Sequence, residues 1–358
     1  MASSSEKHDN VKDYYGKVLS DGSSGLKTNA CSARSAPHPT VCAIIRTKVP
    51  SAVNERFYGC GNPIPLGIGG MDVLDLGSGC GRDSYVAAAL VGPEGSVTGV
   101  DMTDELLGVA RANVAAFAET LGYRPKLRFL TGYIEELQAA GVEPGSADLC
   151  ISNCVVNLSP NKRAVLQGVF AALRPGGEFH FADMYADRVV PPSLAENKVL
   201  HGEGLAGALC VPDFERMARA AGFAQPRVLD AKRIDVLDPA LRGLVGDTQY
   251  FSVTYRLFKP DSSKITHAAD SASASAAAAA SAASAAAVYR GTVDGCEEKY
   301  VLDMHNSFDA GVPTPVDVDT AAVLESSWLA KHFAIETLEA AANGKPDAAP
   351  TLAMLQSL

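Results

Sequence analysis

From about Met71 the chain alternates short, unbroken apolar runs with stretches in which apolar residues return every third or fourth position. The runs are Val73–Leu76, Val97–Asp101, Leu127–Leu130, Asp148–Ser152 and Glu178–Ala182. Runs of this length, apolar at successive positions, predict parallel strands covered on both faces. Helical spacing is clearest over Asp104–Leu121 and Asn161–Leu173. Arg174-Pro-Gly-Gly177 predicts a break before the fifth strand. A further helix over Val211–Ala221 leads to strands at Arg227–Ile234 and Tyr250–Phe258. The repeated strand–helix order predicts an α/β fold, a doubly wound and mostly parallel sheet with its ligand at the strand C-termini.

The flanks follow other patterns. Residues 1–10 are polar and read as a mobile end. Val11–Leu19 has helical spacing interrupted by Gly16. From Asp21 to Pro65 the chain is rich in Gly, Pro and Ser and predicts a loop-rich lid, with one short helix near Ser51–Tyr58. Ser271–Ala287 contains only Ser and Ala. It reads as a helical spacer or a flexible linker, with nothing large to bury. Beyond it, Phe308, Trp328 and Phe333 suit a small module docked on the main domain. The expected division is 1–65, 66–190, 191–262, a linker over 263–287, and 288–358.

Chemistry enters at the end of the first predicted strand. Asp75-Leu-Gly-Ser-Gly-Cys-Gly-Arg-Asp83 carries glycines at 77, 79 and 81, and the next strand ends in Asp101-Met102. Glycines at a strand-to-helix turn bring backbone close to a ligand, and an acidic residue closing the next strand accepts hydrogen bonds from ribose hydroxyls. The combination predicts an adenosine-bearing cofactor in a Rossmann-like domain. A dinucleotide prefers glycines spaced GxGxxG, with a pyrophosphate on the helix N-terminus, whereas this spacing is GxGxG. S-adenosyl-L-methionine has no phosphate, and its ammonium can be met by Asp75 or its neighbours. The string resembles the first motif of class I methyltransferases. By that resemblance Gly132-Tyr-Ile-Glu135 surrounds the adenine, and Ser152-Asn-Cys154 lies where methyl group and acceptor meet. Tyr58, Asp75, Gly77, Ser78, Gly79, Gly81, Asp101, Met102, Ile134, Glu135 and Asn153 are the expected cofactor contacts. Core packing is the alternative reading for Tyr133 and Ile134.

With 358 residues, the chain has room for one large domain and an appendage. A net charge of −10 argues against nucleic acid as the main partner, since phosphate contacts need a basic face. No apolar run approaches a membrane span, and the N-terminus lacks both a secretory apolar segment and an Arg-rich transit pattern, so a cytoplasmic enzyme without membrane contact is expected. The 8 cysteines contain no CxxC pair, too sparse a set for a disulfide scaffold. Cys42, Cys80, Cys150 and Cys296 read as structural or incidental, and Arg34, His38 and His201 as isolated surface or satisfied groups.

A narrower resemblance is carried by Tyr14-Tyr-Gly-Lys-Val-Leu19, Arg56-Phe-Tyr-Gly-Cys-Gly61, the glycine string, Gly99-Val-Asp-Met-Thr-Asp104 and Gly132-Tyr-Ile-Glu135. Ser152-Asn-Cys-Val-Val-Asn-Leu158, Lys198-Val-Leu-His-Gly-Glu203 and Tyr255-Arg-Leu-Phe-Lys259 extend it. Together they resemble the arsenite S-adenosylmethionine methyltransferases from about Asp13 to Lys259, with a weaker likeness around Tyr289–Thr292 and Asn306–Phe308. The resemblance implies trivalent arsenic held by cysteines: Cys60 and Cys154 as ligands, and Cys31 assisting binding or redox turnover. It assigns residues 191–262 to the helices of the arsenic site and the terminal strands. The family's fourth cysteine falls at Gly204. Cys210, six residues on, is the candidate replacement, with a buried hydrophobe as the competing reading. Six residues reach roughly 9 Å as helix and about 20 Å extended, so a folded-back or helical segment is required.

The residue types suit that chemistry. Trivalent arsenic is thiophilic, and its lone pair can attack a sulfonium methyl in line, so no general base is needed and the protein's task is positioning. An oxygen-methylating enzyme would normally need one. The resemblance also implies arsenite or methylarsenite as substrate and a thiol reductant, thioredoxin or glutathione. The rival readings are a class I methyltransferase for a small organic acceptor, and a non-catalytic thiol protein that sequesters metalloids.

Overall fold

A computed structural model describes residues 4–13, 28–29, 36–57, 59–191, 193–194, 197–265, 285–337 and 351–358. Among the described residues, the helices before the sheet are α1 (Ser4–Asp13), α2 (Pro39–Thr47) and α3 (Ser51–Asn54). The expected polar, mobile end is helical from Ser4, and the continuation of that helix to Leu19 lies outside the described residues. The lid has more regular structure than its composition suggested. Pro39 sits in the first turn of α2, where its missing N–H costs nothing, His38 Nδ1 accepts from the Thr40 N–H, and Val41 and Ile44 turn inward.

The alternating unit then runs β1 (Asp72–Leu76), α4 (Arg82–Val91), β2 (Ser96–Asp101), α5 (Asp104–Ala112), α6 (Val114–Leu121), β3 (Lys126–Thr131), β4 (Ala147–Asn153), α7 (Lys162–Ala172) and β5 (Leu173–Ala186). It continues with α8 (Lys198–Gly202), β6 (Leu209–Cys210), α9 (Val211–Ala220), β7 (Arg227–Ile234), α10 (Pro239–Val245) and β8 (Tyr250–Phe258). The sheet order is β3-β2-β1-β4-β5-β8-β7, with β6 beside the end of β5. The first five strands are parallel; β8 is antiparallel to β5 and β7 to β8. This is the doubly wound, mostly parallel α/β sheet expected. Its order reverses between β1 and β4, and a ligand crevice opens where strands diverge in this way.

The helix read as Asp104–Leu121 is broken at Asn113, whose Nδ2 donates to the Val109 carbonyl at 2.8 Å and competes with the helical ladder. Arg174–Gly177 is not a break before β5 but an irregularity within it. Leu173 pairs with Ala147 before it and Glu178 with Leu149 after it. The Arg174 guanidinium holds the bulge by bridging Asp72 at 2.8 Å and Asp148 at 2.7 Å.

The C-terminal module contains β9 (Ala285–Tyr289), the hairpin β10 (Lys299–Asp303) and β11 (Asn306–Asp309), β12 (Thr314–Val316), α11 (Val318–Ser326), β13 (Phe333–Thr337) and α12 (Thr351–Gln356). Its central strand is β9, flanked by β12 and β13. Ala285, Ala286 and Ala287 therefore belong to a buried strand, and the linker expected to reach 287 ends earlier. Alanine is small enough to let Tyr289, Tyr300, Phe308 and Phe333 close over that strand. The module has no core to itself. One apolar cluster runs from α2 and α4 through Phe258 into Tyr289, Leu302 and Phe333. On the opposite sheet face, Phe179, Phe181, Phe214 and Tyr255 pack among α7 and α9, each burial stabilising the fold by about 1.5–3 kcal/mol.

Candidate active site

The main cleft, about 990 Å³ including its open mouth, lies at the C-terminal ends of β1, β2 and β4. Its floor is the glycine turn. Gly77, Gly79 and Gly81 all have φ between 53° and 88°, the left-handed region that favours glycine. A Cβ on Gly77 would lie 2.4 Å from Val155, and one on Gly79 would meet only Leu106 within 4 Å among the described residues. The turn is thus shaped to admit a ligand against bare backbone.

Three carboxylates line this floor: Asp75, Asp83 and Asp101. Burial, and then the nearby Asp83 charge, push the Asp75 carboxyl up to about 8, although Ser84 Oγ donates to it at 2.5 Å. Burial also raises Asp101, opposed by the N–H groups of Thr103 and Gly79, each 2.8 Å from one of its oxygens. Those two bonds aim the Asp101 carboxylate and leave lone pairs for hydroxyl groups in the cleft.

At the other wall stand Tyr133, Ile134 and Glu135, with Met102 and Ser78 close by. Helix α1 covers this end. His8 stacks on Tyr133 with ring centroids 4.3 Å apart and reaches Glu135 Oε1 at 3.2 Å, while Ser159 Oγ donates to the same oxygen at 2.5 Å. The involvement of His8 and Val11 was illegible in the sequence, because α1 is distant along the chain and carries no motif. Arg82 was equally silent; its guanidinium lies 3.6 Å from the Phe57 ring centroid and lines the cleft.

The expected cofactor residues Asp75, Gly77, Ser78, Gly79, Asp101, Met102, Ile134, Glu135 and Asn153 all line the cleft. Gly81 stands just behind it as the N-cap of α4, where a Cβ would strike Phe129 at 2.8 Å. Asn153 differs in role: its carboxamide is engaged by Gly61 and Asp83. Tyr58 and Cys31 lie outside the described residues.

Cys154 lines one corner of the cleft and is joined there by the buried Cys60 behind it in a disulfide, with Cα atoms 6.0 Å apart. Cys154 follows β4 with φ 60°, the one non-glycine with positive φ among the described residues. A side chain in that region carries strain of order 1–3 kcal/mol, a cost that clusters at functional sites. Cys60 is wholly buried, and Ser252 Oγ donates to its carbonyl at 3.0 Å. Cys210 is elsewhere. It caps α9 beside Asp213 and lines a second depression with His201 and Lys162, which shares only Ser159 with the main cleft. The structure therefore does not bring Cys210 to the Cys60–Cys154 corner. Gly204, at φ 78°, faces Met184, whose methyl would lie 2.6 Å from an added Cβ; Met184 packs in the same apolar cluster as Cys60 and Cys154.

Residues 69–222 match the family described as methyltransferase domain, and residues 282–354 match the arsenite methyltransferase C-terminal domain. The arsenite methyltransferase of Aquipseudomonas alcaligenes is 43% identical over 91% of this chain and 90% of its own length. The chain belongs to the arsenite methyltransferase family. The Mus musculus arsenite methyltransferase is 40% identical over 94% of this chain and 85% of its own. The crystal structure of an arsenic(III) S-adenosylmethionine methyltransferase from Chlamydomonas reinhardtii superposes with a TM-score of 0.78 at 47% identity, covering 87% of this chain and 100% of that one. The methyltransferase fold and the S-adenosylmethionine cofactor expected from the glycine string agree with this membership. Among the described residues no helix is long and apolar enough to cross a membrane.

Proposed function

We propose that the chain transfers a methyl group from S-adenosylmethionine to trivalent arsenic held between Cys60 and Cys154. The observation that carries this reading is the convergence of those two sulfurs at the corner of the cleft lined by the glycine turn and Asp101. Bound there, the cofactor supplies an electrophilic sulfonium methyl. Asp101 would accept from the ribose hydroxyls, Asp75 would meet the ammonium, and Tyr133 and Ile134 would enclose the adenine. The three carboxylates, and the bare backbone at Gly79, suit a cationic ligand that carries no phosphate.

The substrate chemistry balances on the cysteine pair. Two thiols displace two hydroxyls of arsenite as water, forming two As–S bonds. The arsenic lone pair then attacks the methyl carbon; the As–C bond forms as the sulfonium C–S bond breaks. That step raises the formal oxidation state of arsenic from +3 to +5, and it returns to +3 when both As–S bonds break and the two sulfurs couple as the Cys60–Cys154 disulfide, leaving the electron pair on the methylated arsenic. The disulfide must then be reopened by two electrons and two protons from an external thiol, thioredoxin or glutathione. This requirement favours a reducing compartment, the cytoplasm.

Arsenic speciation after incubation with arsenite, S-adenosylmethionine and a thiol tests the proposal. Methylated arsenicals should form only with all three present. Cys154→Ser should abolish them with cofactor affinity nearly intact, because a hydroxyl is a poor ligand for a soft centre. Stoichiometric arsenite binding without product would overturn the transfer, and normal turnover by Cys154→Ser would overturn the cysteine site.

A further inference from the structure

We infer that Asn153 is a positioning residue that sets the approach of Cys60 to Cys154. The inference rests on those two sulfurs being the arsenic-holding pair. Asn153 closes β4, pairs with Ala182 of β5, and immediately precedes Cys154, whose own N–H donates to the Ala182 carbonyl at 2.8 Å. Its backbone is therefore fixed on the sheet. Its carboxamide faces the segment Gly59-Cys60-Gly61, which belongs to no strand or helix. Oδ1 accepts from the Gly61 N–H at 3.1 Å, and Nδ2 donates to the Gly61 carbonyl at 3.2 Å. A second Nδ2 bond runs to Asp83 Oδ2 at 2.8 Å. The side chain thus pairs with both polar groups of one backbone residue, as a neighbouring strand would.

The orientation of this amide is dictated by its surroundings. Turned over, it would set Nδ2 against the Gly61 N–H and Oδ1 against both the Gly61 carbonyl and the Asp83 carboxylate. The glycines flanking Cys60 are part of the same device. A Cβ on Gly59 would lie 2.5 Å from Asn153 Cγ, and one on Gly61 would lie 2.1 Å from Ala182 Cβ. Only a chain without side chains on either side of Cys60 can lie this close to Asn153 and the sheet. The amide then holds one cysteine's segment beside the other cysteine's strand. Holding two thiols in register raises their effective concentration toward each other, and toward any atom that bridges them.

The test uses the full chain and the dithiol–disulfide equilibrium of Cys60 and Cys154, with no arsenic present. In buffers of reduced and oxidised dithiothreitol, the protein disulfide and the reagent dithiol exchange for the protein dithiol and the cyclic reagent disulfide. Alkylation followed by peptide mass reads the ratio. Asn153→Ala and Asn153→Asp should both shift it toward dithiol by roughly tenfold or more, equivalent to about 30 mV. Asn153→Asp is nearly isosteric, yet it loses the donor to Gly61 and faces Asp83 with like charge. A wild-type ratio in Asn153→Asp would mean that the side chain only fills space, and would overturn the inference. Asn153→Ser replaces either variant that fails to fold, with the same expectation and the same overturning result. If the arsenic assignment alone were wrong, the ratio would still shift while reduced wild-type protein would fail to bind arsenite.

Discussion

Asp75 illustrates how one buried side chain sets a pH dependence. With its carboxyl pushed up to about 8 by burial and by Asp83, it is largely protonated at neutral pH when the cleft holds no cation. Pairing with an ammonium requires the ionised form, so binding must release a proton below about pH 8. Cofactor affinity should therefore rise with pH up to about 8, by at most roughly tenfold per unit, and then level off. Calorimetry from pH 6 to 9 in buffers of different ionisation enthalpy measures both the affinity and the proton count. Asp75→Asn should bind the cofactor more weakly and without that slope, while the cofactor-free protein melts no lower, since a neutral carboxyl becomes a neutral amide. A slope that persists in Asp75→Asn would exclude this carboxyl as its source. Asp101→Ala should weaken cofactor binding by roughly 1.5–3 kcal/mol, because a charge-assisted partner of the ribose is lost; unchanged titration curves would remove that role. These residues were legible because glycines and acids at strand ends have few other reasons to recur in that order. Asn153 was legible as a site residue but not in its role, since only three-dimensional contact reveals that its partner is Gly61.

At the scale of elements, the apolar runs mapped onto the parallel strands β1 to β5 because buried parallel strands leave a continuous apolar signature, and two further runs mapped onto the antiparallel β7 and β8. The signature failed where burial is achieved by small residues or by local geometry. The Ala-rich run gave no hint of β9, whose stability comes from the aromatic rings laid over it. Helix α2 was hidden by Pro37 and Pro50 on either side, although Val41, Ile44 and the N-terminal proline are a helix pattern in miniature. Cys210 was singled out because it lies six residues after Gly204, where the resemblance expects a cysteine, and nearness along the chain does not fix where a sulfur sits. As the N-cap residue of α9 beside Asp213, it is held away from the Cys60 corner. Cys210→Ser should then methylate arsenite at close to the wild-type rate. Loss of arsenite methylation with retention of methylarsenite methylation would instead require the Gly204–Cys210 segment to refold so that the Cys210 sulfur joins the pair.

The whole molecule is held together by a polar seam that joins the C-terminal module to the sheet. Glu178 on β5 and Arg256 on β8 are both buried and form a bidentate pair at 2.7 and 2.9 Å. Trp328 Nε1, from the module, donates at 2.7 Å to Glu178 Oε2, the oxygen that also accepts from Arg256 Nη2, and Arg256 also donates to the Leu302 carbonyl at 3.3 Å. A second tie runs from Arg227 to Asp303 at 2.8 Å. The face of β5 and β8 that carries Glu178 and Arg256 also carries Ala182 and Ser252, which contact the Cys60 segment. The module therefore buttresses one end of the surface on which the cysteine site rests. Removing one member of a buried ion pair strands the other charge, at a cost of about 3–5 kcal/mol. Glu178→Gln should lower the melting temperature accordingly, whereas Trp328→Phe, which deletes one hydrogen bond to a charged acceptor, should cost about 1.5–3 kcal/mol. The pH sign follows from the direction of the shift. The Arg256 charge and hydrogen bonds outweigh burial and hold Glu178 below its usual 4.5. Its contribution is thus complete above about 4.5 and is lost as pH falls through the folded value. Thermal melts between pH 3 and 7 should show wild type losing its advantage over Glu178→Gln only at the acid end. An advantage that is constant across the range would mean that the seam acts by shape rather than by charge.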